Sequence, residues 1–317
     1  MRSDPAPHIP VLYHEVIEHA RAKSGEVWVD CTLGRGGHSL GLLERGVNLI
    51  AFDRDAQALA ESEARLSTYI DRDQLKLVHS NFSDLTSALS QHGVHKVDGI
   101  LADLGVSSPQ LDEAERGFSF RQAGPLDMRM DRSQGLSAAD WIAEHDERAL
   151  CDILRRYGEE PRARRFASVI KTWSDEGGRD TLSLARAIES ATPMKIRRQL
   201  KKHPATRVFQ ALRIAVNDEL GSLERLLADA PPLLDLDGRL LLISFHSLED
   251  RLIKQSFRSL SEPPKPPRRG LPPPPHDPPS FSAEPRRGLA PSAEELARNA
   301  RSRSARLRVL TRIRSSL

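Results

Sequence analysis

The sequence predicts an α/β protein whose doubly wound, mostly parallel sheet is interrupted by an inserted all-helical domain. Three observations predict this fold class. Apolar runs alternate with helical patterns up to about residue 110, a glycine-rich turn follows the first run, and a strong apolar run returns near residue 240. Such alternation indicates right-handed crossovers between parallel strands, with helices covering both faces of the sheet.

The predicted strands are short runs rich in Val, Ile, Leu and Phe. They cover 27–29, 47–52, 75–79, 97–102 and 238–245. The segment 56–66 has helical composition and spacing, which predicts a helix after the second strand. Alternating polar and apolar residues at 306–310 predict an edge strand that returns to the same sheet.

A block with little strand signal separates the fourth run from the last one. It is rich in Arg, Ala and Glu, and helical patterns cover 138–157, 162–174 and 183–191. We therefore expect a helical domain at 112–204, inserted into a discontinuous domain formed by 1–111 and 205–317. Because such insertions lie beside the ligand crevice of these folds, we expect this domain to recognise the substrate.

Proline dominates the segment 261–285. Ten of the 22 prolines in the chain fall between Pro263 and Pro279. Proline at this density does not support helix or sheet, so we expect an extended, mobile loop. Contact with RNA is one interpretation of its cations, and a solvated linker is the simpler one.

Charge is distributed unevenly along the chain. The formal net charge is +3, yet nine arginines and only two acids follow Pro285. Arginine-rich patches on an otherwise balanced protein suit a polyphosphate partner. Cys31 and Cys151 form neither a disulfide framework nor a metal-ligand pattern, so we expect no metal. The absence of a leader-like segment and of an 18-residue apolar run predicts a cytoplasmic protein.

A glycine-rich turn follows the first predicted strand, in the stretch from Asp30 to His38 that contains Gly34, Gly36 and Gly37. Glycine lacks a Cβ, so the backbone N–H groups of such a turn can approach a ligand at the start of the next helix. The dinucleotide fingerprint is incomplete because its last glycine is missing. An ordinary tight turn is therefore the alternative.

An acid ends the second predicted strand. Asp53 directly follows the apolar run and lies 17 residues beyond Gly36. A carboxylate at this place can accept hydrogen bonds from both hydroxyls of a ribose. The turn and Asp53 together predict a site for an adenosine-containing cofactor, with Asp55 as the rival acid.

A second acid, Asp103, ends the fourth predicted strand. The carboxyl ends of parallel strands meet at one edge of the sheet, so we expect Asp103 to face the same crevice as Asp53. Ser107, Ser108 and Gln110 follow in a tight loop and can position a polar substrate group. The alternative is that Asp103 only caps its own loop.

Longer strings narrow the interpretation to one family. They are Asp103-Leu-Gly-Val-Ser-Ser-Pro-Gln-Leu-Asp112, Arg116-Gly-Phe-Ser-Phe120, Gly124-Pro-Leu-Asp-Met-Arg-Met-Asp131, His203-Pro-Ala-Thr-Arg207 and Ser244-Phe-His-Ser-Leu-Glu-Asp-Arg251. With the glycine turn, they resemble the MraW/RsmH family of Rossmann-like, S-adenosylmethionine-dependent methyltransferases. That family methylates the exocyclic N4 of a cytosine in small-subunit (16S) ribosomal RNA. The resemblance covers nearly the whole chain.

The resemblance implies S-adenosyl-L-methionine as cofactor. The implied contacts are Gly36, Gly37, His38, Asp53, Phe82, Asp103 and Gln110, with Gly34 in the same turn. Phe82, just after the third strand, can cover an adenine ring, although a core phenylalanine is the alternative. The resemblance also implies small-subunit ribosomal RNA as partner, at the decoding region of the assembled 30S subunit, and is compatible with a homodimer.

Methyl transfer to the cytosine amine is favoured by a hydrogen-bond acceptor for one of its N–H groups, because this acceptor stabilises the charge that develops on the nitrogen. Asp103 is the best-placed candidate, followed by Ser107 and Ser108. The Asp/Asn/Ser-Pro-Pro-aromatic loop of related amino-methyltransferases is absent, so the identity of a base stays open. Since the target base must be unstacked, Phe118 and Phe120 are candidates to stack on it, or else core residues.

Two further residues are candidates for substrate contact. His246 follows the last predicted strand, and the sequence is equally consistent with a position that faces the crevice and with one that does not. The Ser-x-x-Asp spacing from Ser247 predicts that this serine caps the next helix. Arg207 shares one helix face with several polar residues, which predicts an RNA-phosphate contact or an ordinary solvated face.

Three alternatives remain at this stage. A nicotinamide-dependent dehydrogenase would use the same glycine turn, and a non-catalytic RNA-binding assembly factor would keep the pocket without the reaction. A DNA amino-methyltransferase would need the missing Pro-Pro-aromatic loop.

Overall fold

The computed structural model describes residues 10–264 and 276–314. The chain folds as two compact units. The first unit comprises Met1–Gly105 and Gly221–Leu317, and the second comprises Val106–Leu220. The central part of the proline-rich segment, 265–275, lies outside the described residues, so the predicted mobile loop is described only at its two ends.

Seven strands form one sheet in the described part of the first unit. They are β1 (Val27–Asp30), β2 (Asn48–Asp53), β3 (Leu75–His79), β4 (Val97–Asp103), β5 (Leu234–Ser244), β6 (Phe281–Ala283) and β7 (Arg306–Arg312). Their order is β3-β2-β1-β4-β5-β7-β6. Strands β1 to β5 are parallel, and β7 is antiparallel to both β5 and β6. The predicted fold class is confirmed.

Helices account for most of the remaining described residues. In chain order they are α1 (Tyr13–Ala20), α2 (Gly37–Leu43), α3 (Ala56–Asp71), α4 (Leu85–Gln91), α5 (Ser108–Asp112), α6 (Ala138–Glu144), α7 (Glu147–Arg156), α8 (Ala163–Asp175), α9 (Thr181–Ser190), α10 (Met194–Arg197), α11 (Thr206–Asn217), α12 (Glu219–Leu233), α13 (Ser247–Ser261) and α14 (Ala293–Arg298). Within the described residues, no helix has the length and apolarity needed to cross a membrane.

Apolar side chains cover both faces of the sheet, as expected for a doubly wound fold. On one face Val29 and Ile50 belong to a buried cluster that includes residues of α4, α12 and α13. On the other face Trp28 and Leu49 belong to a cluster that includes residues of α1, α2 and α3. Because strands β1 and β2 are buried on both faces, their sequences are nearly continuous apolar runs.

The C-terminal strand differs from its prediction in one respect. Strand β7 lies between β5 and β6, so it is not an edge strand. The edge is formed by β6, which belongs to the end of the segment 261–285 where no strand was expected. Three residues are too few to produce a recognisable alternation, which explains why the sequence did not indicate β6.

The second unit is helical and has its own apolar core. This core includes residues of α6, α7, α8, α9 and α11. The predicted single helix 138–157 is in fact two helices, α6 and α7. The break lies at Asp146, whose carboxylate accepts a hydrogen bond from Ala149 N at 2.8 Å and caps α7.

Candidate active site

The glycine turn joins β1 to α2 and has a backbone shape that favours glycine. The φ angles of Gly34 and Gly36 are 52° and 69°, in the left-handed region. A Cβ at Gly36 would lie 2.7 Å from Leu66 Cδ1, so a side chain there would require Leu66 or the turn to shift. At Gly34 the nearest atom to a Cβ would be Thr32 O at 3.9 Å. The turn is therefore closely packed against Leu66 at Gly36, whereas the space beside Gly34 is open.

Asp53, at the end of β2, holds this turn. One carboxylate oxygen accepts a hydrogen bond from Gly34 N at 2.7 Å, and the other accepts one from Asp55 N at 2.9 Å. Burial raises the pKa of Asp53 to about 6. Each carboxylate oxygen can accept a second hydrogen bond, so Asp53 has acceptor capacity left for the predicted contact with a ribose. Asp55 instead caps α3 through Gln57 N at 3.1 Å.

Asp30, at the end of β1, was not among the predicted site residues. Its carboxylate accepts hydrogen bonds from Ser39 Oγ at 2.6 Å and from Thr32 N at 3.0 Å. Thr32 Oγ1 in turn accepts a hydrogen bond from Asp103 N at 2.6 Å. This network ties the glycine turn to the end of β4. The sequence could have indicated Asp30 as a site residue, because it ends its strand just as Asp53 and Asp103 end theirs.

His38 is buried beneath the turn and is neutral. Its Nε2 lies 3.0 Å from Val11 O and therefore carries the proton that it donates to this carbonyl. Burial lowers the pKa of His38 to about 4. The unprotonated Nδ1 lies 3.8 Å from Asp103 Oδ2, which is too far for a hydrogen bond.

Asp103 has an acceptor atom with nothing to accept from. Its Oδ1 is buried and has no hydrogen-bond partner among the residues that the structure describes. The pKa of Asp103 is raised well above its usual range, chiefly by burial and then by the charges of Asp30, Glu249 and Glu295. A buried acceptor of this kind is costly unless a ligand satisfies it, and functional sites are where such groups occur.

The segment Pro10–Leu12 covers the turn, which sequence reasoning did not detect. A Cβ at Gly37 would overlap Pro10 Cγ. Leu12 has a left-handed φ of 55°, and its N–H donates a 2.9 Å hydrogen bond to Glu295 Oε1 of α14. Residues from both ends of the described chain thus fix the position of His38. No local sequence pattern indicates a contact between positions so far apart.

Phe82 lies just beyond the end of β3. It begins a short 3-10 turn, Phe82–Asp84, that Asn81 caps by accepting a 3.2 Å hydrogen bond from Ser83 N. The ring is partly buried against the apolar cluster on one sheet face. Because β3, β2, β1 and β4 are neighbours, Phe82, Asp53, the glycine turn and Asp103 all lie at the same edge of the sheet. The role of Phe82 at an adenine ring stays a prediction.

The N-cap of α13 is His246, so the prediction that Ser247 caps this helix was wrong by one residue. His246 Nδ1 accepts a 3.4 Å hydrogen bond from Glu249 N, and Glu249 Oε2 accepts from His246 N at 3.3 Å. The ring nitrogen replaces the hydroxyl of the usual capping box. The predicted contact of His246 with substrate stays a prediction.

The other predicted residues belong to the second unit. Ser107 caps α5 in a capping box with Gln110, whose Oε1 accepts from Ser107 N at 3.0 Å, and Ser108 is the first residue of that helix. Gln110 is buried and Ser107 and Ser108 are partly buried. The hydroxyl of Ser107 is already a capping acceptor, which leaves Asp103 as the stronger candidate for accepting an amine proton.

Phe118 and Phe120 are both packed in the second unit. Phe118 is buried in its core, which is the alternative that the sequence left open. Phe120 is partly buried, with its ring 4.7 Å from that of Phe209. Arg207 Nη1 donates a 3.0 Å hydrogen bond to Glu159 O. Gln210 Nε2 likewise donates to a carbonyl of the same unit. This helix face therefore holds neighbouring loops and is not simply a solvated surface.

Comparison with known families identifies the chain. The MraW methylase family matches residues 5–313. The chain belongs to this family. The resemblance noted in the sequence is thereby confirmed, and with it the prediction of a methyltransferase that uses S-adenosylmethionine. A nicotinamide-dependent dehydrogenase is disfavoured.

Relatives match over almost the full length. A protein of Anaeromyxobacter sp. (strain K) named ribosomal RNA small subunit methyltransferase H is 48% identical over 315 residues, 97% of this chain and 98% of that protein. A protein of the same name from Acinetobacter baylyi is 45% identical over 313 residues, 96% and 99% of the two chains. The crystal structure of an rRNA methylase from Streptococcus thermophilus aligns with a TM-score of 0.38 at 12% identity, covering 95% of this chain and 94% of the other.

The residues present fit this cofactor. The open space before Gly34 admits a ligand to the backbone of the turn, and Asp53 keeps free acceptor capacity beside it. The Oδ1 atom of Asp103 lies at the same edge without a partner among the described residues. A glycine-rich turn after the first strand and an acid at the end of the second are features with which folds of this kind bind an adenosine-bearing ligand.

Proposed function

We propose that this protein transfers a methyl group from S-adenosylmethionine to the exocyclic N4 of a cytosine in small-subunit ribosomal RNA. The proposal includes the decoding region of the 30S subunit as target, a cytoplasmic location, and recognition of the substrate by the helical segment 112–204. Family membership and the names of the relatives support an RNA substrate. The partnerless Oδ1 of Asp103 is the observation that supports an amine as the acceptor of the methyl group.

Different residues would bind different parts of the methyl donor. When bound, S-adenosylmethionine supplies a methyl group that its sulfonium makes electrophilic. Asp53 accepts hydrogen bonds from the ribose hydroxyls, the backbone from Gly34 to Gly37 lines the donor, and Phe82 covers the adenine. Because the donor is already reactive, the main task of these residues is alignment, which can contribute several kcal/mol.

Asp103 would accept the proton from the amine that is methylated. The lone pair of a cytosine amine is conjugated into its ring, and an acceptor on one N–H favours the pyramidal nitrogen that attacks the methyl carbon. Oδ1 of Asp103 accepts this N–H and takes up the proton as the nitrogen becomes positively charged. The carboxyl must be ionised to do so. Since its pKa is raised, the rate of methyl transfer increases as pH rises.

The cysteines argue against methylation at carbon. Transfer to C5 of a pyrimidine needs a thiolate that adds to the ring. Cys31 is buried, and its thiol has a pKa raised well above the usual range by burial and by the charge of Asp30. Cys151 is also a buried free cysteine. Neither residue offers the exposed, electropositive setting that activates a thiol.

Mass spectrometry of methylated RNA tests the proposal. The protein is incubated with labelled S-adenosylmethionine and either unmodified small subunits or free small-subunit RNA, and the RNA digest is analysed. We expect labelled N4-methylcytidine. The Asp103→Asn variant should lose the product, whereas Asp73→Asn, which changes an exposed carboxylate on another turn, should not. Label found only in 5-methylcytidine, or RNA binding without any transfer, would overturn the proposal.

A further inference from the structure

A cleft in the first unit, about 230 Å³ in volume, lies between α13 and the β6–β7 end of the sheet. Apolar side chains, including those of Phe257 and Pro285, form part of its lining. Four cations among the described residues also line it, namely Lys254, Arg258, Arg286 and Arg308. Glu262 is the acid in the described lining. The site proposed above does not use this cleft.

Two of the four cations are neutralised within the fold. Arg308, on β7, donates hydrogen bonds of 2.8 and 3.1 Å to the two carboxylate oxygens of Asp250 on α13. It also donates to Arg286 O at 3.2 Å. Arg258 pairs with Glu262 at 2.6 Å. These pairs build the walls of the cleft and leave little charge on them.

The other two cations are uncompensated. Lys254 and Arg286 are exposed, and neither side chain has an ionic or hydrogen-bond partner in the part of the chain that the structure describes. They come from different elements, α13 and the segment after β6, yet line the same cleft. Two free positive charges beside an apolar surface suit a nucleotide. Its phosphate can lie at the charges and its base or ribose can lie against the apolar surface.

Strand β7, which carries Arg308, lies two strands away from the strand that carries Asp103. Asp103 pairs in register with Ile243 of β5, and Ile243 pairs with Leu307 of β7, the residue before Arg308. Two strand spacings amount to about 10 Å. Arg308 faces α13, whereas Asp103 lies near His38 of α2 on the other face, so a nucleic acid strand with a base at Asp103 reaches the cleft by passing over the carboxyl edge of the sheet.

We propose that this cleft binds the RNA backbone, with a phosphate between Lys254 and Arg286 and the sugar or base against the exposed ring of Pro285. The inference rests on the proposed RNA substrate and adds a second anchoring point to it. Arg308 and Asp250 act as positioning residues, because they hold the wall on which Arg286 is presented.

Salt-dependent binding of in vitro transcribed small-subunit RNA tests the inference. The double variant Lys254→Gln/Arg286→Gln is compared with Lys23→Gln/Arg72→Gln, which removes the same charge from two exposed cations elsewhere in the first unit. Each lost phosphate contact reduces the slope of log K against log salt by about 0.7–0.9, so we expect the loss of this one contact to change the slope by that amount and to weaken affinity by about fivefold to eightfold at about 100 mM salt. The control pair should match the parent.

The outcomes separate this inference from the proposed function. If the parent makes N4-methylcytidine but the cleft variant binds RNA with the parent's affinity and slope, the cleft assignment is wrong and the function stands. If the cleft variant weakens RNA binding but the parent transfers no methyl group, the function falls and the cleft stands. Weaker binding to intact subunits with unchanged binding to free RNA would assign the cleft to a ribosomal protein and overturn the RNA assignment.

Discussion

Replacement of Gly36 by alanine tests whether the glycine turn depends on its packing against α3. Gly36 has a φ of 69°, and a Cβ there would lie 2.7 Å from Leu66 Cδ1. The left-handed backbone costs alanine about 1 kcal/mol. Displacing Leu66, which is buried in the core, adds about 1–3 kcal/mol. Gly93 is a matched control, because its φ is 68° and no atom lies within 4 Å of a Cβ there.

Urea unfolding and calorimetric titration with S-adenosylmethionine measure the two consequences. We expect the free energy of unfolding to fall by about 1 kcal/mol in Gly93→Ala and by about 2–4 kcal/mol in Gly36→Ala. Because Leu66 is buried in the core, the clash is relieved partly by a shift of the turn, and cofactor affinity should drop about tenfold or more in Gly36→Ala only. Equal losses of stability would refute the steric argument. Unchanged affinity in Gly36→Ala would show that the turn does not line the cofactor.

Three further predictions concern single side chains. Asp103→Asn should lower kcat about 100-fold or more, since an amide cannot take up the proton; a residual rate that keeps the parent's rise with pH would contradict this. Affinity for S-adenosylmethionine should increase from about pH 5 to about pH 7, because the carboxylate of Asp53, with a pKa of about 6, is the better acceptor once ionised. Asp53→Asn should remove that dependence, and a flat parent profile would disprove it. Asn217→Ala should lower the free energy of unfolding by about 3 kcal/mol, because Met130 N and Met128 O lose their partner. A loss below about 1 kcal/mol in urea unfolding would contradict it.

The strands were predictable where burial on both faces makes a continuous apolar run. Strand β3 has the predicted limits, Leu75–His79. The helical spacing of apolar residues did not reveal the break between α6 and α7. Both helices pack on the same core, so this spacing continues through the break. The sequence did contain the signal, since Asp146 is followed by an acid and then by an apolar stripe, a typical helix start.

The candidate site was predictable as far as it consists of strand ends. Asp53 and Asp103 directly follow apolar runs, and parallel topology alone brings such residues to one edge. The contacts that hold the segment Pro10–Leu12 against the glycine turn were not predictable. Glu295 reaches Leu12 across 283 positions, and this contact depends on where α14 packs, which no local pattern specifies.

The hydrogen bond between Leu12 and Glu295 has a consequence for biosynthesis. The segment that seats His38 is among the first parts of the described chain to be synthesised, and the carboxylate that anchors it is among the last. A nascent chain can pair its parallel strands β1 to β4 early, yet it cannot complete this contact until Glu295 of α14 has been synthesised. The support beneath His38 therefore forms only after most of the described chain has left the ribosome.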